Sequence, residues 1–68
     1  MGNPNLRNNL KVFRARHDLT QADLAEQVGV TRKTINTIET GRFVPSTVLA
    51  LRLARAFGVS VEELFELE

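Results

Sequence analysis

One stretch, residues 19–42 (LTQADLAEQVGVTRKTINTIETGR), leaves the chain few ways to fold. Thr20 is of the type that caps helix N-termini, and Asp23, three positions on, supplies an acidic partner in the first turn. Leu24, Ala25 and Val28 then fall on one helical face. Gly29 follows where a residue ending a helix must take positive φ. Val30 turns the chain back into the core. Thr31 caps a second helix, to which Ile35 and Ile38 give an apolar side. The pattern predicts helices over 21–28 and 32–39 with a connection of about four residues, the helix-turn-helix arrangement, over about 20–40.

Position by position this stretch resembles the Cro and phage-repressor family, the XRE class. The residues that carry the resemblance are Leu19-Thr20-Gln21, Leu24-Ala25, Val28-Gly29-Val30, Thr31, Thr34-Ile35, Ile38-Glu39 and Gly41. Pro45-Ser46, Ala54 and Gly58-Val59-Ser60 extend it to roughly residues 6–66. The resemblance implies a compact all-α domain of five helices, similar to the lambda repressor's DNA-binding domain. It also implies a sequence-specific regulator of transcription, a repressor that binds a palindromic DNA operator as a dimer. The chain is expected to be a minimal one-domain member, residues 1–68, with 1–5 a flexible tail.

Sixty-eight residues is the size of one domain. Such a chain buries little, so a second copy would help to stabilise it. Absence of cysteine excludes a disulfide framework and thiolate chemistry, and a single His makes a zinc site unexpected. No apolar run approaches the length that spans a bilayer. A cytoplasmic, nucleoid-associated protein without metal, cofactor or membrane partner is the expectation. The net charge of +1 hides an asymmetry. All nine Lys and Arg precede residue 60, where four acids oppose them, an excess of five; Glu62, Glu63, Glu66 and Glu68 follow with no base. A basic body with an acidic end suits a polyanion on one side only.

In chain order, Asn5 can cap a first helix over about 6–17, with Leu6, Leu10, Phe13 and His17 on one face and Val12 outside. Gln21 begins the second helix at its dipole-positive end, where backbone N–H groups bind phosphate and an amide adds a donor. In the resembling family the matching Gln contacts the DNA backbone. On the third helix Lys33, Thr37 and Thr40 lie opposite Ile35 and Ile38, with Asn36 beside them and Arg32 at the N-terminal tip. This set holds no acid. Arg and Lys donate to guanine, Asn pairs with adenine, and a Thr methyl touches that of thymine. By resemblance Arg32, Lys33 and Thr37 match base-reading positions, with Asn36 next. Thr31, Thr40 and Arg42 are phosphate candidates beside Gln21, although many family members carry Asn where Thr40 stands. An ordinary solvated helix face is the alternative reading.

Ser46 caps a fourth helix over about 47–57, and Ser60 with Glu63 forms a capping box for a fifth over about 61–66. The fourth helix is apolar over too wide an arc for so small a domain. Its Val48 and Leu49, with Phe43, Val44 and Phe65, are the expected homodimer interface. Glu39 leans toward the core side of the third helix and needs a partner there. Arg14, at the edge of the first helix's apolar face, can reach it with a bidentate fork. The resembling family has a matching Arg–Glu pair. No nucleophile–base pair or Gly-rich phosphate loop is visible, so an enzyme is not expected. A protein-interaction module or an antitoxin using the same fold is the alternative function.

Overall fold

The computed structural model describes residues 6–68. In chain order the elements are β1 (Leu6–Asn8), α1 (Leu10–Arg16), α2 (Gln21–Val28), α3 (Arg32–Glu39), α4 (Thr47–Phe57), α5 (Val61–Leu64) and β2 (Phe65–Leu67). The five helices surround a core whose fully buried side chains are Leu10, Leu24, Ile35, Ile38, Leu53 and Leu64. At about 1.5–3 kcal/mol for each fully buried Leu or Ile, this cluster is the main favourable contribution to folding.

The helices are short, so their ends matter. Thr20, Thr31, Ser46 and Ser60 are the N-caps, each accepting the N–H of the residue three positions on. Thr20–Asp23 and Ser60–Glu63 are reciprocal capping boxes. Gly29 takes φ +78° at the end of α2, a left-handed conformation that costs a side-chain-bearing residue energy. The Val30 N–H then donates to the Ala25 carbonyl at 3.0 Å, and Thr31 caps the start of α3 one residue later.

The ends of the chain differ from expectation. The first helix begins at Leu10, not at residue 6, and the fifth stops at Leu64, not at 66. The freed residues form an antiparallel ladder that pairs Leu6 with Leu67, Arg7 with Glu66 and Asn8 with Phe65. Asn8 and Asn9 explain the break, because their amides compete with helical hydrogen bonding. Asn8 Oδ1 accepts the Leu10 N–H at 3.2 Å, and its Nδ2 donates to the Ile38 carbonyl at 3.0 Å. The Asn9 N–H donates to the Leu64 carbonyl at 2.8 Å. Leu6 therefore packs against the core from a strand. The cap proposed for Asn5 and the tail over 1–5 lie outside the described residues.

Two residues expected at a dimer interface are buried within the domain. Leu49 is 8% exposed and belongs to the core, because the buried arc of α4 runs from Leu49 through Leu53 to Phe57 and Ala54. Phe65 is 9% exposed, since the pleat of β2 turns it inward and its neighbour Glu66 outward. Phe43, Val44 and Val48 remain exposed, and Leu51 joins them. His17 follows α1 and sets its ring 5.2 Å from that of Phe57.

Register within α1 is directly testable. Leu10→Ala is expected to destabilise the domain by about 2–5 kcal/mol, and Val12→Ala, two residues away on the exposed side, by no more than about 0.5. Denaturant melts of both variants check this.

Candidate nucleic-acid interface

The surface is built from α3, the start of α2 and the loop after α3, over an internal ion pair. Arg14 Nε donates to Glu39 Oε2 at 2.6 Å and Nη2 donates to Oε1 at 3.1 Å, a two-pronged pair. The side chains are 15% and 7% exposed. Arg14 Nη1 donates to the Leu19 carbonyl at 3.0 Å, so one guanidinium ties α1 to the entry of α2 and to the last residue of α3. Burial pushes the Glu39 carboxyl up, but hydrogen bonds from Arg14 and Gln21 outweigh it and hold the group below its ordinary value. The hydrogen bond to Glu39 in turn raises Arg14.

Gln21 continues the chain of contacts to the surface. Its Nε2 donates to Glu39 Oε1 at 3.0 Å and lies 3.2 Å from Asn36 Oδ1, and its Oε1 accepts from Arg32 Nη1 at 3.1 Å. The amide read from sequence as a phosphate donor is thus also an internal bridge between the ion pair and two base-reading candidates. Nothing in the sequence marks that role, because Gln21 and Glu39 are 18 positions apart.

The remaining candidates divide by what their polar atoms already do. Lys33 and Arg42 are exposed, and neither has an ion-pair partner among the described residues. The Thr37 hydroxyl donates to the Thr34 carbonyl at 2.8 Å, and that of Thr40 to the Asn36 carbonyl at 3.0 Å. Their methyl groups and lone pairs stay available to a ligand. Thr31 Oγ1 accepts the Thr34 N–H at 3.2 Å as it caps α3. Thr31, Lys33, Thr34, Thr37 and Phe43 line a groove on this surface. Phe43, expected at a dimer contact, therefore borders this surface. Backbone N–H groups of Arg42 and Phe43 donate to the Thr37 carbonyl at 2.9 and 3.2 Å, which fixes the loop against α3.

Charge completes the geometry. The one acid of α3, Glu39, is turned inward, so the outward face holds Arg32, Lys33, Asn36 and Thr37 with no carboxylate among them. Asp23 is held by its capping box, where the Thr20 backbone N–H lowers its pKa. A helix face with Arg, Lys, Asn and Thr side chains, beside a capped helix N-terminus, has the donors and the positive potential that base edges and phosphates require.

Residues 10–64 match the model of a family described as Helix-turn-helix. An uncharacterized HTH-type transcriptional regulator of Methanocaldococcus jannaschii is 50% identical over 60 residues, covering 88% of this chain and 91% of that protein. The HTH-type transcriptional regulator YgzD of Bacillus subtilis, also uncharacterized, is 46% identical over 63 residues, 93% of this chain and 96% of its own. Among solved structures, the restriction-modification controller protein C.AhdI of Aeromonas hydrophila superposes with a TM-score of 0.74 at 31% identity, over 79% of this chain and 82% of that one. The P22 c2 repressor, solved in complex with a synthetic operator, gives 0.75 at 26% identity over 78% of this chain and 80% of its own.

The ion pair predicts a pH dependence. A carboxylate whose pKa is lower in the folded than in the unfolded state stabilises the fold above its ordinary value, and loses that contribution as pH falls through the folded value. Glu39→Gln should cost about 3–5 kcal/mol near neutral pH, because it leaves Arg14 without its counter-charge. The surface control Glu62→Gln should stay within about 0.5 kcal/mol. The gap between wild type and Glu39→Gln should narrow as pH drops below 4.5, the ordinary Glu value, which urea melts across an acid series would show.

Proposed function

The chain belongs to the helix-turn-helix family of DNA-binding transcription regulators, and on that premise we propose that it is a sequence-specific repressor that binds a palindromic operator as a homodimer. The observation that carries this reading is the acid-free outward face of α3 beside the capped start of α2. Its family is one of regulators and not of enzymes. No helix among the described residues is long and apolar enough to cross a membrane. We place the protein in the cytoplasm, on nucleoid DNA.

In this reading α3 enters the major groove, with Arg32, Lys33, Asn36 and Thr37 at the base edges. Lys33 has no competing partner among the described residues and donates to guanine O6 or N7. Arg32 and Asn36 arrive already oriented by Gln21, which lowers the cost of ordering them on DNA. Gln21, Thr31, Thr40 and Arg42 lie along the phosphates on either side and set affinity and register. Repression then follows from occupancy of a site that a promoter needs. A dimer presents two α3 helices about 34 Å apart, one turn of DNA, and so reads two half-sites.

Selection of bound duplexes from a random pool is the first test. Enrichment of a two-fold symmetric site is expected, and no enrichment with no salt-dependent binding would indicate a protein-interaction module instead. On a panel of selected sites, Lys33→Ala should relax base preference and cost about 1–3 kcal/mol per half-site. Arg42→Ala should weaken all sites alike and reduce the salt slope by about one unit for each phosphate left without its cation. Identical effects of both substitutions across the panel would refute this division of roles.

A further inference from the structure

Hydrogen bonds have a direction, and behind α3 that direction is fixed by the two ends of one chain of contacts. At the inner end Glu39 is a carboxylate: burial pushes its pKa up, but hydrogen bonds from Arg14 and Gln21 outweigh that and lower it. Its oxygens only accept. At the outer end the Arg32 guanidinium only donates. Gln21 lies between them, and its amide fits one way round. Nε2 donates to Glu39 Oε1 at 3.0 Å, and Oε1 accepts from Arg32 Nη1 at 3.1 Å.

The orientation of Gln21 passes to Asn36. The second Nε2 hydrogen of Gln21 meets the Asn36 amide at 3.2 Å, and a donor there is matched by the Asn36 Oδ1. The reversed amide would set two N–H groups against each other. Asn36 is exposed, and its Nδ2 has no hydrogen-bond partner among the described residues. The carbonyl end of this side chain is therefore engaged, and its two N–H groups are the end left to a ligand. Both Nε2 hydrogens of Gln21 are engaged too, which leaves a phosphate at the start of α2 the backbone N–H of that residue.

We propose that Asn36 reads guanine and rejects adenine, and that Gln21 is the positioning residue that makes it do so. An Asn side chain free to present both ends pairs with adenine, its carbonyl to the N6 amino group and its amide to N7. Here the carbonyl is turned back to Gln21, so the adenine amino group would meet Nδ2 donor against donor. Guanine presents O6 and N7, two acceptors, to the same pair of N–H groups. No carboxylate on the outward face of α3 competes for these donors, because Glu39 is turned inward. The proposal rests on the reading of α3 as the helix that enters the major groove. It replaces the adenine pairing that an unconstrained Asn would give with a preference set 15 residues away, at Gln21.

The test measures affinity for duplexes built on the selected site. Asn36→Ala first identifies the base pair at which preference relaxes. There wild type should bind guanine about tenfold tighter than adenine. Inosine, which keeps the O6 and N7 of guanine, should bind like guanine, and 2,6-diaminopurine, which keeps the N6 and N7 of adenine, like adenine. Gln21→Met removes the donor and keeps the length of the side chain. It should cut the guanine-to-adenine ratio at that pair about fivefold or more, whereas loss of a merely structural contact would weaken both duplexes alike. An adenine preference in wild type, no base pair relaxed by Asn36→Ala, or an unchanged ratio in Gln21→Met would each overturn the proposal. Side-chain amide resonances of the free protein test the bridge without DNA. Asn36→Ala should shift one Gln21 Nε2 proton and leave in place the other, which is bound to Glu39; a spectrum in which neither moves would overturn the bridge. The expected amide shifts in a protein that enriches no duplex would place the failure in DNA recognition, and the proposal would fall with it.

Discussion

The Arg14–Glu39 pair is the contact on which the rest of the arrangement depends. Removing two charges from water is costly, and their mutual attraction offsets that only when the remaining donors and lone pairs are met. Here they are met. Arg14 also donates to the Leu19 carbonyl, Gln21 donates to Glu39, and among the described residues no buried side-chain nitrogen or oxygen lacks a partner. A hydrophobic pair of the same volume could give equal stability. It could not specify direction. Two parallel hydrogen bonds from a planar guanidinium fix the angle at which the end of α3 meets α1. The pair also turns α3's one carboxylate inward, so a stabilising contact and an acid-free outward face have the same cause.

From this anchor the order extends in two directions. Outward, Gln21 links the pair to Asn36 and Arg32, so side chains that would otherwise sample many rotamers are held over the face. Toward the chain ends, Asn8 donates to the Ile38 carbonyl one residue before Glu39, and the ladder of β1 and β2 closes over Leu64 and Phe65. Helices of 4 to 11 residues are too short to persist alone. Their N-caps, the glycine turns and this small ladder supply local order that so small a core could not maintain by burial alone.

Much of this was legible in the sequence. Capping chemistry is local, so Thr20, Thr31, Ser46 and Ser60 marked the starts of α2, α3, α4 and α5, and Gly29 the turn. The inward lean of Glu39 followed from helical periodicity, and the need for a partner from desolvation. What escaped was non-local. The ladder pairs Arg7 with Glu66, 59 positions away, and three-residue strands carry too little alternation to compete with the helical spacing of Leu6, Leu10 and Phe13. Leu49 was misplaced because periodicity locates an apolar arc and not its rotation, and α4 is apolar over an arc wide enough to allow either choice. The bridging role of Gln21 depends on how α2 crosses α3, which no linear pattern contains.

The outward face of α3, held by the ion pair and by Gln21, is the proposed surface for DNA. Amide chemical-shift mapping during titration with a selected duplex tests it most directly. Large perturbations are expected on Gln21, on residues 31–37 and on residues 40–43, with the outer side of α4 quiet. Large perturbations confined to α4 and α5, with α3 unchanged, would contradict it.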